Sequence, residues 1–446
     1  MCKCNCKCNC KCNKDKKISN NNEIFSQLGM CQSRFKHILL LSLIFVLPSI
    51  SWAAQTDSLL FTTNNRIVIF KSGQEKFSDL FAAIQQAKKS IHLEYFNFRN
   101  DSISTELFSL LEQKVKDGVK VRAIFDGFGN ASNNRPLRRK HLDSLHNRGI
   151  EIYEFDPLRF PYVNHIIPRD HRKIVVIDGV VAYTGGMNVA DYYIKGKSEF
   201  GSWHDIHARV EGEAVGQLQK AFLDFWNIWT QQNVRGAEYY PGYRDATKEF
   251  SNLTPDTCSS AGKKRIAVVN QGPKSPKKPI HATFLQLINR ATMQIQIINP
   301  YFTLCHHIRR ALCQAIKRGV DVQVIVSAKS DIPITPRIVE HNAHRLMKKG
   351  VKVYFFEGGF HHSKIMMVDS VYSFIGSANL DSRSLSFDYE CNLLIDDKPT
   401  TKVLQTIFNK DRDEKCWLLT PKTWKEKFKP SRRFAAWFWQ WLTPFV

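Results

Sequence analysis

Short apolar runs alternate with amphipathic segments along most of the chain. Val121–Phe125 and Val322–Val326 are rich in β-branched residues and almost continuous, which is typical of strands that are buried on both faces. Each run follows a helical segment that ends at a glycine, Gly118 or Gly319, as expected for a left-handed residue after a helix. The pattern predicts an α/β fold of βαβ units whose sheet is covered by helices.

The order of these elements repeats along the chain. Gly118 matches Gly319 and Gly149 matches Gly350, both at an offset of 201 (319 − 118 and 350 − 149). After an insertion at 157–170 the offset becomes 191 (362 − 171), shared by His171 with His362, Asp178 with Asp369, and Asn188 with Asn379. Constant offsets across independent markers indicate a duplicated domain. We therefore predict two tandem α/β/α domains with mixed, largely parallel sheets, related by a pseudo-twofold axis.

The predicted boundaries follow the composition. A stretch rich in Gly, Ser, Thr and Pro, Tyr239–Lys264, separates the two halves. The predicted segments are a low-complexity leader (1–29), a signal peptide or short membrane anchor (30–53), a first domain (54–245), a linker (246–264), a second domain (265–420) and a C-terminal segment (421–446).

The N-terminal segments differ from the rest of the chain. Residues 1–12 carry a cysteine at every even position, which indicates either a metal-binding tract or, as we favour, low-complexity sequence that need not be translated. After Met30, a basic stretch precedes the apolar run Ile38–Leu47, and Ser51-Trp52-Ala53 places small residues as at a cleavage site. This layout predicts a secretory signal peptide. An uncleaved anchor is the alternative, although the run is shorter than the roughly 20 residues of a spanning helix.

The net charge narrows the choice of partner. The chain has 64 Lys and Arg against 41 Asp and Glu, a formal net charge of +23, of which residues 1–53 contribute +6. The remaining +17 favours an anionic partner, either nucleic acid or an anionic membrane. The cysteines beyond residue 53 are odd in number and irregular in spacing, so no disulfide framework is predicted; they are Cys258, Cys305, Cys313, Cys391 and Cys416.

The candidate chemistry lies in two matching HxKxxxxD motifs. They comprise His171, Lys173 and Asp178 in the first half, and His362, Lys364 and Asp369 in the second. Alternate side chains of a strand share a face, so each His projects together with its Lys. A turn of the form Gly-x-x-Asn follows each motif and ends at Asn188 or Asn379. One HxK pair is a weak signal, but two complete motifs with equal spacing are not expected by chance.

Two facing motifs would together form a site for a phosphodiester. Lysine and asparagine side chains stabilise negative charge on the non-bridging oxygens. One neutral imidazole can attack phosphorus, and the other, protonated, can donate to the leaving alkoxide. No metal or other cofactor is expected, because Lys and protonated His supply the positive charge.

Each histidine also needs an acceptor for its second ring nitrogen. We assign Glu390 to His362, and Asp205, in preference to Glu199, to His171. The motif aspartates are expected to fix local turns rather than to contact substrate.

These residues resemble the phospholipase D superfamily, whose hallmark is the duplicated HxKxxxxD motif with a trailing Gly-[Gly/Ser]-x-Asn. The resemblance covers nearly the whole chain from about Thr62 and is closest to bacterial cardiolipin synthases, through DHRKIVVIDGVVAYTGGMNVADYY, HHSKIMMVD and GSANLDSRS. It implies two phospholipase D-like domains with the active site between them and a catalytic role for the motif residues. It also implies His171 as nucleophile and His362 as general acid and base, or the reverse.

The resemblance further implies the transfer of a phosphatidyl group. One phosphatidylglycerol is attacked, glycerol leaves, and the hydroxyl of a second phosphatidylglycerol accepts the group to form cardiolipin. Many members of this family begin with two transmembrane helices, whereas this chain shows one short apolar run. That difference concerns the topology and not the chemistry.

The C-terminal segment gives a separate argument for lipid. Five Lys and Arg between residues 425 and 433 precede an aromatic run that contains Trp437, Trp439 and Trp441. Aromatic side chains beside a basic cluster suit a membrane interface; the alternative is a helix packed on the protein's own core. We expect a peripheral protein of the bacterial cell envelope, on the periplasmic or outer side of the membrane after export.

Two other functions use the same residues. In a phospholipase D hydrolase, water replaces the lipid alcohol, and no residue distinguishes this reaction from transfer. A nuclease of the same superfamily would also use the positive charge, but aromatic residues are not interleaved with basic ones near the motifs. We therefore expect no nucleic-acid partner.

Overall fold

The computed structural model describes residues 59–161, 167–241 and 263–445, so the leader, the signal segment and most of the predicted linker lie outside the described residues. The strands are β1 (Phe61–Phe70), β2 (Ser90–Tyr95), β3 (Lys120–Asp126), β4 (Glu151–Phe155), β5 (Ile174–Ile177), β6 (Val181–Gly185), β7 (Trp203–His204), β8 (His207–Gly212), β9 (Lys264–Gln271), β10 (Gln294–Ile298), β11 (Asp321–Ser327), β12 (Lys352–Phe356), β13 (Phe360–His361), β14 (Ile365–Val368), β15 (Tyr372–Gly376), β16 (Glu390–Asp396) and β17 (Cys416–Leu418).

Helices connect these strands. They are α1 (Gly73–Gln85), α2 (Ser102–Lys116), α3 (Gly127–Ala131), α4 (Arg139–Asn147), α5 (Tyr192–Lys195), α6 (Ala214–Thr230), α7 (Pro279–Arg290), α8 (His306–Lys317), α9 (Thr335–Met347), α10 (Ser382–Ser386), α11 (Lys398–Lys415), α12 (Pro421–Lys427) and α13 (Pro430–Trp439). The predicted glycine positions after helices are confirmed: Gly118, Gly149, Gly319 and Gly350 all have φ between 81° and 96°.

The two halves share one continuous sheet of 15 strands, in the order β17-β12-β11-β10-β14-β15-β16-β9-β1-β8-β6-β5-β2-β3-β4. The order in one half mirrors that in the other, and β1 pairs antiparallel with β9 at the junction. Helices α7, α8 and α9 bury one face of the second half, while α6 and α11 pack on the opposite face near the centre of the sheet. The mixed α/β class and the duplication are therefore confirmed.

The expectation of largely parallel sheets is wrong. Only β2–β3, β3–β4, β10–β11 and β11–β12 are parallel neighbours within the large sheet, and its other pairs are antiparallel. The helical crossovers predicted from the sequence do give parallel pairs. The strands after each motif are instead joined by short turns, which bring the chain back antiparallel.

A second set of strand contacts crosses between the halves beside the motifs. β13, which precedes the second motif, pairs in parallel with β7 of the first half. Asp170, which precedes the first motif, forms a parallel bridge with Tyr389 of the second half. The two contacts are copies of each other, since 361 − 170 = 191, the offset of the motifs. Each motif is thus held against a segment of the opposite half.

Candidate active site

The two motifs occupy the ends of two central, buried strands. His171 and Lys173 lie immediately before β5, and His362 and Lys364 immediately before β14. All eight residues of these two strands are buried, which fixes the strands in the core and leaves the motif side chains at their ends. Lys173 is fully buried and Lys364 is 3% exposed, so both ammonium groups are largely removed from water.

Each histidine contacts a carboxylate that comes from the opposite half. The Nδ1 atom of His171 lies 3.0 Å from Oε1 of Glu390, and Nδ1 of His362 lies 2.7 Å from Oδ2 of Asp205. The assignment made from the sequence, Glu390 to His362 and Asp205 to His171, is therefore wrong in its pairing. Glu199, the residue set aside, is exposed.

The crossed strand contacts explain the crossed pairs. The backbone N–H of His171 donates to the carbonyl of Tyr389, and Glu390 is the next residue. The N–H of His362 likewise donates to the carbonyl of His204, and Asp205 follows it. This register between the halves places each carboxylate beside the histidine of the opposite half. The two pairs join both motifs in one cluster.

The residue after the first glycine of each turn contacts the carboxylate of one of these pairs. Ser377 donates its hydroxyl to Oε2 of Glu390, which fixes the carboxylate on the side away from His171. The matching residue of the first half is Gly186, where an added Cβ would lie 2.2 Å from Oδ1 of Asp205. The glycine therefore makes room for Asp205, and any larger residue would displace it.

Burial lowers the pKa values of both motif lysines, and at Lys173 the charge of Lys364 lowers the pKa further. The pKa of Lys173 falls to about 7 and that of Lys364 to about 8, chiefly by burial, while Glu390 and Asp205 oppose the change. Burial also raises the pKa of Glu390 to about 7. A phosphodiester anion entering the cluster would restore the charge of the lysines, because it supplies the missing negative partner.

The two histidines differ in their ability to hold a proton. Burial, and then the charges of Lys173, Lys364 and His362, hold the pKa of His171 well below its usual range. The pKa of His362 is also lowered, mainly by burial, but contact with Asp205 counteracts this. The Nζ atom of Lys364 lies 3.0 Å from Nε2 of His362, whereas Lys173 donates to the carbonyl of His171. Of the two imidazoles, His171 therefore holds a proton less readily and stays neutral.

The motif aspartates lie at turns behind the cluster. Both adopt the left-handed conformation, with φ of 53° at Asp178 and 51° at Asp369, which Asp tolerates better than most residues. The carboxylate of Asp178 accepts from the N–H groups of Lys88, Lys89 and Ser90. Asp369 binds the start of β10 in the same way, through the N–H groups at 292–294.

Buried amides and aromatic rings complete the surroundings of the cluster. Asn188 and Asn379 are each 4% exposed, and among the described residues their Oδ1 atoms have no hydrogen-bond donor. The ring of Phe96 meets His171 edge-on at 5.1 Å, and the ring of Tyr301 meets His362 edge-on at 5.9 Å. These apolar walls lower the local dielectric and strengthen charge interactions in the cluster.

Sequence reasoning missed several of these neighbours. Trp203, whose ring centroid is 5.6 Å from that of His362, stands two residues before Asp205 and was available as a signal. Arg383, whose charge contributes to the lowered pKa of His171, lies within the GSANLDSRS segment that carries the resemblance, but no role was assigned to it or to Tyr301.

One group of possible metal ligands lies outside the cluster. Side-chain atoms of His281, Cys305 and His307 all lie within 4.8 Å of one another. Thiolate and imidazole are ligands that zinc prefers. None of the three residues belongs to either motif, and the expectation that catalysis needs no metal stays a prediction.

The comparisons with known proteins agree with this geometry. A family described as cardiolipin synthase, PLD-like domain, matches residues 80–226 and 284–412. Cardiolipin synthase 1 of Bacillus cereus is 34% identical over 77% of this chain and 65% of its own length, and cardiolipin synthase 2 of Staphylococcus epidermidis is 33% identical over 80% of this chain and 70% of its own. The chain thus spans about two thirds of the length of these relatives.

Solved structures share the fold. Phosphatidylserine synthase of Haemophilus influenzae superposes with a TM-score of 0.68 over 90% of this chain and 100% of its own, at 14% identity. Polyphosphate kinase of Porphyromonas gingivalis gives a TM-score of 0.52 over 80% of this chain and 49% of its own, at 13% identity. At these identities the likeness is one of fold.

The duplicated sheet and the paired HxKxxxxD motifs define an enzyme of the phospholipase D type. More specifically, the chain belongs to the cardiolipin synthase family with the PLD-like domain, since the family matches more than half of its residues.

Proposed function

We propose that this chain transfers a phosphatidyl group from one phosphatidylglycerol molecule to another, giving cardiolipin and glycerol. The observation that supports the proposal most is the crossed pair of imidazole–carboxylate contacts, His171 with Glu390 and His362 with Asp205. These contacts bring two imidazoles and two lysines, one set from each half, to one cluster. The cluster suits a single phosphodiester with two successive displacements at phosphorus.

We assign the nucleophile to His171. Its Nδ1 faces Glu390, and among the described residues its Nε2 has no hydrogen-bond partner. Its side chain is 13% exposed, compared with 7% for His362, so it is the more accessible imidazole. Its strongly lowered pKa keeps it neutral, and a neutral imidazole carries the lone pair that attacks phosphorus.

His362 then serves as the general acid and base. In the first step a bond forms between phosphorus and Nε2 of His171, the bond to the glycerol oxygen breaks, and His362 gives that oxygen a proton. In the second step the hydroxyl of another phosphatidylglycerol gives a proton to His362, its oxygen bonds to phosphorus, and the bond to His171 breaks. Asp205, 2.7 Å from Nδ1 of His362, stabilises the protonated form.

The remaining polar groups of the cluster act on the phosphate. Lys173 and Lys364 neutralise the non-bridging oxygens, and the amides of Asn188 and Asn379 supply donors to them. These groups stabilise the charge that develops in the transition state, in a site where water is largely excluded. The buried lysines bind this charge more strongly than they would in water.

We also propose that the chain works at an anionic membrane surface on the periplasmic or outer side. α13 and the 3-10 turn that follows it expose Trp437 by 50%, Trp439 by 36% and Trp441 by 72%. Aromatic rings of this kind favour the membrane interface. None of the helices among the described residues is both long and apolar enough to span a bilayer.

The purified protein, incubated with phosphatidylglycerol vesicles, tests the proposed reaction. We expect cardiolipin and glycerol in equal amounts, and no product from His171→Ala. Phosphatidic acid as the main product would show hydrolysis instead. Absence of any lipid product, together with cleavage of DNA, would favour the nuclease and contradict the proposal.

A further inference from the structure

A basic cleft lies between α8 and α9, away from both motifs. It has a volume of about 180 Å³, and its lining includes Arg309, Arg310, Arg345 and Lys349. Among the described residues, the side chains of these four make neither an ion pair nor a hydrogen bond. Four cations around one cavity without a negative partner repel each other.

The helices that form the cleft hold no acid that could balance these charges. α8 contains neither Asp nor Glu. The only acid of α9 is Glu340, whose carboxylate is already bound by Arg337 at 2.9 Å and by Arg432 at 2.6 Å. The repulsion is visible within the cleft, since burial and the charge of Arg345 lower the pKa of Arg309.

The duplicated fold provides an internal comparison. At the offset of 201, Cys313 corresponds to Glu112 (313 − 112) and Lys349 to Arg148 (349 − 148). In the first half, Glu112 pairs with Arg148 at 3.3 Å and with Lys116 at 2.8 Å. The equivalent place in the second half has lost that acid, because cysteine replaces it.

The second half has gained cations at the same place. Arg345 corresponds to Ser144 (345 − 144) and Arg310 to Ser109 (310 − 109). Arg309 corresponds to Phe108 (309 − 108), so one acid is missing and three cations are added relative to the first half. The fold does not need these charges, since the first half forms the same helix pair without them.

The cleft adjoins the aromatic C-terminal segment. His341 of α9 is bonded to the side chain of Gln440, and Arg345 and Arg309 help to lower the pKa of His341 to about 4, after burial. The positive charges of the cleft therefore act on a side chain that is hydrogen-bonded to Gln440, the residue that precedes Trp441. A ligand at the cleft would be close to a surface that we have proposed to contact membrane.

We propose that this cleft binds the phosphate group of an anionic phospholipid, at a site separate from catalysis. Guanidinium groups match phosphate oxygens with paired hydrogen bonds, and a cavity of this size accommodates a headgroup phosphate but not a whole lipid. The phosphate group itself is the shared chemistry of a lipid and of free phosphate. That the phosphate belongs to a lipid rests on the proposed membrane function. That the cleft binds phosphate does not depend on that function.

The test compares the full chain with Arg309→Gln/Arg345→Gln. The matched control is Lys398→Gln/Lys402→Gln, which removes the same charge from exposed positions of α11, on the other face of the sheet. Titration calorimetry with inorganic phosphate should show two sites on the wild type and the control, one being the catalytic cluster. The cleft variant should retain one site, with affinity at the other reduced at least about tenfold.

The second arm identifies the source of the phosphate. Phosphatidylcholine vesicles with and without phosphatidylglycerol are sedimented with each protein. The cleft variant should lose affinity only for the vesicles that contain phosphatidylglycerol, and by more than the control. If the cleft variant loses phosphate binding but keeps its affinity for phosphatidylglycerol vesicles, the lipid assignment is overturned. If the cleft variant still shows two phosphate sites, the cleft does not bind phosphate and the whole proposal is overturned.

Stability and turnover separate this inference from the proposed function. Removal of repelling cations should leave Tm unchanged or raised without phosphate, and phosphate should raise Tm less in the cleft variant than in the wild type. Turnover of a soluble short-chain substrate should be equal in all three proteins. Failure of phosphatidyl transfer by the wild type would contradict the proposed reaction and leave the binding result standing.

Discussion

The two histidines have different environments although their motifs match residue by residue. His171 contacts Glu390 through Nδ1, and among the described residues its Nε2 has no hydrogen-bond partner. His362 makes a shorter contact with Asp205, and its Nε2 faces Lys364. The duplication supplied two equivalent imidazoles. We infer that the carboxylates and lysines around them divide their proposed roles, since neighbouring groups set the protonation of otherwise identical side chains.

A substrate with a leaving group that needs no proton distinguishes these roles. With a nitrophenyl ester of phosphatidic acid, His362→Ala should still release nitrophenol in one burst, because nitrophenolate leaves unprotonated. His171→Ala should release none, since it cannot form the bond to phosphorus. Stopped-flow absorbance measures the burst. A burst from His171→Ala that is absent in His362→Ala would reverse the assignment.

The lysine pKa values predict how activity depends on pH. Lys173 and Lys364 have pKa values lowered to about 7 and about 8, so the free enzyme loses their charges as the pH rises through this range. We expect kcat/KM to fall above about pH 7, where Lys173 begins to lose its charge. Since bound phosphate raises both pKa values, kcat should fall only at higher pH. Initial rates across the pH range check this, and a kcat/KM that keeps increasing to pH 10 would contradict it.

The sequence predicted which residues form the cluster but not how they pair. Equal offsets identified both histidines, both lysines and both asparagines, because a duplication leaves matching residues at a constant difference in residue number. The partner of each histidine depends on the register between β13 and β7 and at Tyr389, and that register leaves no periodic signal. Asp205 was recognised from its place before β8, yet the crossing required the structure.

The motif strands are fixed by turns as well as by packing. Asp178 and Asp369 each tie the turn after a motif strand to the start of a neighbouring strand, through three backbone N–H groups. The aspartate of each motif therefore has a structural role, which is to accept hydrogen bonds from these backbone N–H groups. The carboxylate replaces backbone partners at the edge of two strands that meet there.

Asp178→Ala should therefore destabilise the protein without altering its chemistry. Three N–H groups lose their acceptor, so we expect a loss of about 2–4 kcal/mol in the free energy of unfolding. The kcat per folded molecule should stay within about twofold of the wild type. Denaturant unfolding and active-site titration measure the two quantities. A large loss of kcat at unchanged stability would give Asp178 a direct catalytic role.

Local pattern predicted the elements more accurately than their neighbours. The four glycines that follow helices, and the strands they precede, agree with the structure. The joining of β1 to β9 in one sheet did not follow from the sequence, because both strands are far from the motifs and strand patterns do not specify a partner. The antiparallel majority also did not follow from local pattern, since only β5–β6 and β14–β15 are joined by short turns after a motif.

At the scale of the whole molecule, one sheet carries both halves and the cluster lies where they meet. The junction of β1 with β9 and the crossed contacts at β7 and Tyr389 hold the halves together. Neither half alone contains a histidine with its carboxylate. We therefore expect activity only from the joined pair of halves.

The C-terminal aromatic residues concern the whole molecule, because we propose that they bind it to the membrane surface. Replacing Trp437, Trp439 and Trp441 by serine should weaken sedimentation with phosphatidylglycerol vesicles at least about tenfold. Turnover of a soluble short-chain substrate should be unchanged. Replacement of the exposed Ile228 and Met293, which lie elsewhere, is the matched control. Equal vesicle binding by the triple variant would indicate that this segment does not contact membrane.

Trapping the covalent intermediate tests the joint site most directly. The protein is quenched during turnover of labelled phosphatidylglycerol, and the modified peptide is identified by mass spectrometry. Two imidazoles that share one phosphorus predict at most one phosphatidyl group per chain, on His171, and none in His171→Ala. Two groups per chain, one on each motif histidine, would mean that the halves work separately and would contradict the account.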